Sequence, residues 1–218
     1  MKIVRTHDGS NTLIHKSINE HYHSIHGAEQ EGRHVFIQNG LELVSNKSEI
    51  KVFEMGFGTG LNALLAHEFA TKHQIKMTYY SIEAYPLSVD EASQLDYDNL
   101  IKDASVFKKL HEAAWNEHVA VSAQFSLHKI EGFLEKTSLA LLEPIDVIFY
   151  DAFAPSAQAF LWEPDILQKM YDLLAPEGLL STYCAKGQFK RNLKAVGFEV
   201  KAAPGPPGKR EMTIGHKH

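Results

Sequence analysis

FEMGFGTGLN, residues 53–62, sets three glycines (Gly56, Gly58 and Gly60) between an apolar stretch and a stretch of helical composition. Glycine is needed where a backbone turns sharply and must approach a ligand with no Cβ in the way. Upstream, IKVFEM (50–55) reads as a strand. Downstream, a helix is expected over about 61–71, followed by a second strand, KMTYYSIEA (76–84). Glu83 falls at the end of that strand, 23 residues after Gly60. This spacing suits a carboxylate that accepts hydrogen bonds from ribose hydroxyls. A glycine turn alone is weak ground, since a tight strand-to-helix connection with no ligand reads the same way. The strand, the helix and the distal acid together favour a nucleoside site.

The same alternation continues toward the carboxyl end. Residues 88–117 carry Leu95, Leu100, Ile101, Phe107, Leu110 and Trp115 at mixed helical spacings, and a strand is expected over about 119–128. DVIFYDAF (146–153) contains the apolar run 147–150, which lacks alternating polarity, as expected of a strand buried on both faces of a parallel sheet. A helix over 163–174, a turn at APEG (175–178), a strand over 178–184 and a helix over 187–196 follow. FEV and EMTIG flank APGPPGKR and read as a closing antiparallel pair, because proline and glycine prevent regular structure between them. Alternating strands and helices imply an α/β, doubly wound sheet. The chain divides at about Ser48. Residues 1–48 are expected to form a small β-rich appendage, with turn signals at DGSN (8–11) and QNG (38–40) and an apolar piece, HVFI (34–37), read as strand or hairpin. Residues 49–218 form the main domain.

Composition narrows the class. Of 218 residues, 44% are hydrophobic and 22% charged, values of a globular chain. No apolar run approaches a bilayer span, and the polar start after Met1 is not a signal peptide. With a single cysteine, Cys184, this points to the cytoplasm. Thirteen histidines include three in EHYHSIH (20–26), but no metal-ligand spacing such as HExxH occurs, so no metal is expected. Net charge is −5, yet residues 186–218 hold eight basic residues against Glu199 and Glu211, a net of +6 that leaves −11 for residues 1–185.

Leu61 and Asn62 stand where a phosphate-binding loop has Lys and Ser or Thr, which disfavours a nucleoside triphosphate. Gly60 lies two residues beyond Gly58, not three, which disfavours a dinucleotide. Glu54 precedes the first glycine, where an acid beside a pyrophosphate is repulsive but beside the cationic amino acid portion of S-adenosylmethionine is favourable. Asp151, just past a buried strand and followed by Phe153 and Pro155, is either a turn cap or a catalytic carboxylate. Methyl transfer to an amine needs the nitrogen lone pair free and in line. A carboxylate can orient the amine and accept its proton, and Phe153 can stack on a base or a cation.

GFGTGLN, YYSIEAYPLS, YDAFAPSAQAFLWEPDIL and GPPGKREM occur in that order, with HYHSIHGAEQEGRHVFIQNGLEL upstream. Together they resemble the tRNA 5-methylaminomethyl-2-thiouridine methyltransferase family of the MnmD type, homologous to the amino-terminal half of the bifunctional MnmC. The resemblance covers nearly the whole chain. It implies a class I methyltransferase Rossmann-like fold with S-adenosyl-L-methionine held by Glu54, Gly56, Phe57, Gly58, Thr59, Gly60, Asn62 and Glu83. It also implies Asp151 at the acceptor, the 5-aminomethyl group of a wobble uridine. MnmC-type relatives carry an Asp near the adenine amino group, whereas LHKIEG (127–132) puts Lys129 there, with Glu131 or a backbone carbonyl as substitutes. Length leaves no room for a flavin-dependent half, so this chain is expected to methylate only and to depend on an upstream enzyme for 5-aminomethyluridine.

A tRNA partner, engaged at its anticodon region, needs cations for phosphates. Lys186, Lys190, Arg191 and Lys194 can share a helix face, and Lys209 and Arg210 sit in the proline-rich loop; a solvated surface explains the same charges. Tyr22, His23 and Ser24 are further candidates for the acceptor pocket. The competing readings are a methyltransferase of small-molecule or protein amines, a catalytically silent nucleoside- or RNA-binding module and, more remotely, a dehydrogenase.

Overall fold

The computed structural model describes residues 2–14, 20–23, 25–97, 100, 103, 105–140 and 142–218. Ser24 and Ile101 lie outside them. Eight strands form one sheet: β3 (Glu49–Met55), β4 (Lys76–Glu83), β5 (His118–Ala120), β6 (Phe125–Glu131), β7 (Ile145–Tyr150), β8 (Leu174–Thr182), β9 (Glu199–Pro204) and β10 (Glu211–His216). Their order is β5-β6-β4-β3-β7-β8-β10-β9. The five strands β6-β4-β3-β7-β8 run parallel, while β5, β10 and β9 are antiparallel additions. From β3 the chain winds outward through β4 to β6, then returns to β7 on the other side of β3. That reversal opens a crevice at the carboxyl ends of β3 and β7.

Helices cover both faces. On one lie α1 (Ala28–Gly32), a π-helical turn (Arg33–Gln38), α2 (Leu61–His73), α3 (Val89–Ser93) and α4 (Ser105–Glu112). On the other lie α5 (Pro164–Leu173) and α6 (Gly187–Ala195). In β7, Val147 and Phe149 join the first core while Ile145, Ile148 and Tyr150 join the second. This double burial is why the strand carries no polar alternation. A separate hairpin, β1 (Lys2–Arg5) with β2 (Asn11–Ile14), forms the small antiparallel appendage. It is pinned to α1 by Asp8, whose Oδ1 accepts from Ser10 and whose Oδ2 accepts from the Gln30 amide.

Several local expectations change. HVFI, read as strand or hairpin, lies in the π-helical turn, where Val35, Phe36 and Ile37 are buried and the Phe36 ring packs 4.9 Å from Phe149. A short apolar run has no period of its own, so the neighbouring sheet face decides its form. The strand expected over 119–128 is two strands, β5 and β6, paired antiparallel around 121–124. The helical segment 88–117 is broken into α3, opened by a capping box between Ser88 and Glu91, and α4. APEG is not a free turn but lies within β8, whose pairing with β7 shifts register between Ile145 and Val147.

Candidate functional site

The glycine turn leaves β3 at Met55 and enters α2 at Leu61. All three glycines have positive φ: 88° at Gly56, 51° at Gly58 and 75° at Gly60. Gly60 caps α2, and a Cβ there would stand 2.8 Å from His111 Nε2. His111 Nε2 in turn lies 3.0 Å from the Thr59 carbonyl oxygen, to which it donates. Burial pushes the imidazole down to about 4, so it is neutral and braces the turn from behind. Phe57 turns its ring into the core against His111 and Trp115. Glu83 reaches across from the end of β4: Oε2 accepts from the Gly58 amide at 3.0 Å and Oε1 from the Tyr85 amide at 2.8 Å.

Two adjoining clefts meet at this turn. The first encloses about 400 Å³ and is lined by Glu54, Gly56 to Thr59, Asn62 and Asp151, closed over by Glu20 to His23 and bordered by Glu31, Tyr183 and Lys209. The second, about 330 Å³, lies between Glu83, Gly132 to Glu135, and Phe160. Gly56, Asp151, Ala152 and Phe153 belong to both. Between the clefts, the Tyr22 and Phe153 rings meet edge to face with centroids 5.3 Å apart. These sizes are those of small-ligand pockets, and the place is the expected crevice.

The first cleft is acidic. Asn62 Nδ2 donates to Asp151 Oδ2 at 2.8 Å, while Asn62 Oδ1 is buried with no partner. Burial, aided by the charge of Glu31, pushes the Asp151 carboxyl up from 3.8 to about 7, with Asn62 and Lys209 opposing the rise. Glu54 is 1% exposed and accepts from Ser81 Oγ at 2.9 Å. Burial and the nearby Asp151 hold it well above the ordinary carboxylate range. Two carboxyls lining one space fit a ligand that brings positive charge. His23 is half-buried, and desolvation drives it down to about 4; its backbone N–H donates to Thr12 Oγ1, and it lines this cleft as a neutral group.

Of the expected site residues, Glu54, Gly56 to Thr59, Asn62, Glu83, Tyr22, His23, Asp151, Phe153 and Lys209 line the two clefts, and Ser24 lies outside the described residues. Gly60 supports the turn from α2. Pro155, Lys186 and Arg210 border a shallow depression that adjoins the first cleft through Ala154, Tyr183 and Lys209. Lys209, expected at the outer loop, turns inward: it is ion-paired with Glu31 and its Nζ lies 3.9 Å from the Tyr183 ring centroid. On α6, Lys190 is held by Glu211, while Lys186, Arg191 and Lys194 are exposed. Lys129 is away from the second cleft. It is 1% exposed, donates to the His111 carbonyl oxygen at 2.9 Å and lies over Trp115, and burial lowers it to about 8. The residues that face the cleft there are Gly132 to Glu135, not Lys129 or Glu131. Glu31, Tyr183 and Phe133 were not singled out by sequence, because their partners are remote in the chain.

Among the described residues no group of three or more His, Cys, Asp or Glu could hold a metal ion, and no helix is long and apolar enough to cross a membrane. A doubly wound sheet with a glycine turn, a distal acid and an acidic cleft at the switch point defines a class I methyltransferase. The family model described as S-adenosyl-L-methionine-dependent methyltransferase matches residues 88–218, and the chain belongs to that family. S-adenosyl-L-methionine is its cofactor. The chain is 31% identical over 208 residues to the tRNA 5-methylaminomethyl-2-thiouridine biosynthesis bifunctional protein MnmC of Cupriavidus necator, covering 88% of this chain and 31% of that protein. To the protein of that name from Burkholderia thailandensis it is 30% identical, covering 98% and 34%. It thus spans about a third of the length of these relatives. The crystal structure of MNMC2 from Aquifex aeolicus superposes with a TM-score of 0.78 at 25% identity, over 98% of this chain and 69% of that one.

Proposed function

We propose that this chain methylates the 5-aminomethyl group of the wobble uridine in tRNA, yielding 5-methylaminomethyluridine. The observation that carries this reading is Asp151: a carboxyl poised near neutrality, oriented by Asn62, on the wall shared by the two clefts. The names of its MnmC relatives supply the RNA and the modified base.

S-adenosylmethionine, when bound, supplies an electrophilic methyl group on a sulfonium. Glu54, the glycine turn and Asn62 would hold its cationic amino acid portion, and Glu83 its ribose. Phe133 and its neighbours would flank the adenine. Bringing positive charge beside Glu54 and Asp151 returns both toward the carboxylate form. Asp151 then accepts one proton from the acceptor's ammonium group, leaving a neutral amine whose lone pair can attack in line. Phe153 and Tyr22 exclude water from one side of that path. Lys186 and Arg210 on the adjoining rim would meet RNA phosphates. The reaction requires a separate enzyme to generate the primary amine, and its setting is the cytoplasm, where tRNA is processed.

The test is methyl transfer from labelled S-adenosylmethionine to tRNA carrying 5-aminomethyluridine, with nucleoside mass analysis of the product. The expected result is a 5-methylaminomethyl nucleoside, outcompeting free amines. No label in that tRNA, or label in a free amine alone, would falsify it.

A further inference from the structure

The pair formed by Glu31 and Lys209 bridges 178 residues of sequence and sits at the mouth of the acidic cleft. Glu31 belongs to α1 and is held rigidly: its amide donates to Gly27, the Ala28 amide donates to Ser10 Oγ, and the Gln30 amide to Asp8. At the next residue, Gly32, a Cβ would stand 3.0 Å from Asn62 Oδ1, so α1 is pressed onto the residue that orients Asp151. Tyr183 is fixed as well, because its hydroxyl donates to the Ala152 carbonyl at 2.7 Å. A buried carboxylate and an aromatic face thus hold one alkylammonium group between them, a combination that binds primary ammonium ions in general.

The ammonium now held there comes from a different kind of element. Lys209 lies in the loop between β9 and β10, closed by the Lys209 amide donating to Pro206 and the Gly205 amide donating to Arg210. Arg210, its neighbour, is exposed, and Lys186 borders the same depression. Lys209 is the one Lys or Arg among the described residues lining the acidic cleft. Its side chain stands between Glu31 inside and the exposed cationic rim outside.

We propose that Glu31 and the face of Tyr183 form the ammonium subsite of the methyl acceptor, which Lys209 fills in this structure and yields when it moves to an RNA phosphate. The inference deepens the tRNA-amine reading and rests on it for the identity of the amine. It makes the acceptor site selective: a free amine must compete with an intramolecular ammonium, whereas an RNA-borne amine arrives with the phosphate that draws Lys209 away. Glu31 acts as a binding carboxylate, and Asp151 remains the proton acceptor.

Calorimetry on the full chain with 5-aminomethyluridine and its uncharged analogue 5-hydroxymethyluridine tests the subsite without relying on turnover. K209M is expected to raise the preference for the amine about tenfold over the parent chain, the scale of one charge-assisted hydrogen bond. K209M/E31Q, which leaves no buried charge unpaired, is expected to show no preference. An unchanged preference in K209M, or a gain that survives in the double variant, overturns the subsite. For the exchange, K209M is expected to lower the salt slope by about one for tRNA carrying 5-aminomethyluridine, whose ammonium replaces Lys209 on Glu31, and by less for tRNA without that amine; an unchanged slope with the amine-bearing tRNA overturns that half. Amine preference without methyl transfer to tRNA would sink the tRNA reading alone, and methyl transfer without amine preference would sink this inference alone.

Discussion

The two clefts share a wall and a floor but offer opposite chemistries. The one between Glu83 and Phe160 is edged by aromatic side chains, Tyr85, Phe133 and Phe160, and the two oxygens of Glu83 already accept backbone N–H groups. The one beneath Tyr22 gathers Glu20, Glu31, Glu54 and Asp151 around a single lysine, and two of its carboxyls are held far above their ordinary range. A flat, uncharged ring suits the first, and cations suit the second. The difference explains how one crevice can hold a ligand with a heterocyclic end and a charged end, then admit a second cationic group beside the charged end.

The comparison breaks most severely at Asp151. Asp151→Asn keeps the shape and a partner for Asn62 but cannot accept a proton, and we expect single-turnover methyl transfer to fall by about 10³-fold. Cofactor affinity, measured by calorimetry, should change far less. In the parent chain kcat/KM for S-adenosylmethionine, which reports groups of the unliganded protein, should rise with pH through about 7 as Asp151 ionises, while the single-turnover rate of the loaded complex should show that limb at lower pH. The sign for stability is opposite. The folded carboxyl holds its proton more tightly than an unfolded one at 3.8, so its contribution is present in full below about 4 and is lost as pH rises toward 7. Asp151→Asn should therefore melt higher than the parent chain at pH 8 and lose that advantage near pH 4. Equal melting profiles would show that burial does not perturb this carboxyl.

What could be read from the sequence follows the same division. The glycine turn, Glu83 and Asp151 were legible because each is fixed by local rules: a strand end, a helix start, a left-handed φ that only glycine adopts cheaply. The parallel core of the sheet was legible for a similar reason, since double burial erases polarity from a run such as residues 147–150. Glu31 and Tyr183 were not legible, because nothing near either one reveals that the β9–β10 loop will bring Lys209 between them. Lys129 misled for the converse reason. Its position in LHKIEG resembles a ligand-facing one, but on β6 alternate side chains face opposite ways, and this one enters the core beneath α4. HVFI misled because four residues fit a strand or a helical turn equally well until a sheet face is set beside them.

An intermediate effect is expected at Glu83. Glu83→Gln removes charge while leaving an acceptor for the Gly58 or Tyr85 amide. Cofactor affinity should weaken by about 10- to 100-fold, the range of hydrogen bonds to a charged group. Turnover at saturating cofactor should hold to within severalfold. A loss of turnover without a loss of affinity would mean that the two clefts are not separable in this way, and that Glu83 acts on the acceptor side through the glycine turn.

The smallest effects belong to the rim, where they sharpen the contrast between cations that look alike in sequence. Lys186 and Arg210 are exposed, whereas Lys190 is held by Glu211. An exposed cation that meets a phosphate releases about one counterion. Lys186→Ala and Arg210→Ala should each weaken tRNA binding severalfold and lower the salt slope by about one, with cofactor affinity untouched. Lys190→Ala should lower the slope less, because its charge is already compensated by Glu211 and must be released before it can serve a phosphate. A ranking by paired or unpaired state would tie RNA affinity to the adjoining depression. Equal slopes for all three would mean instead that the whole +6 of residues 186–218 acts as a diffuse field.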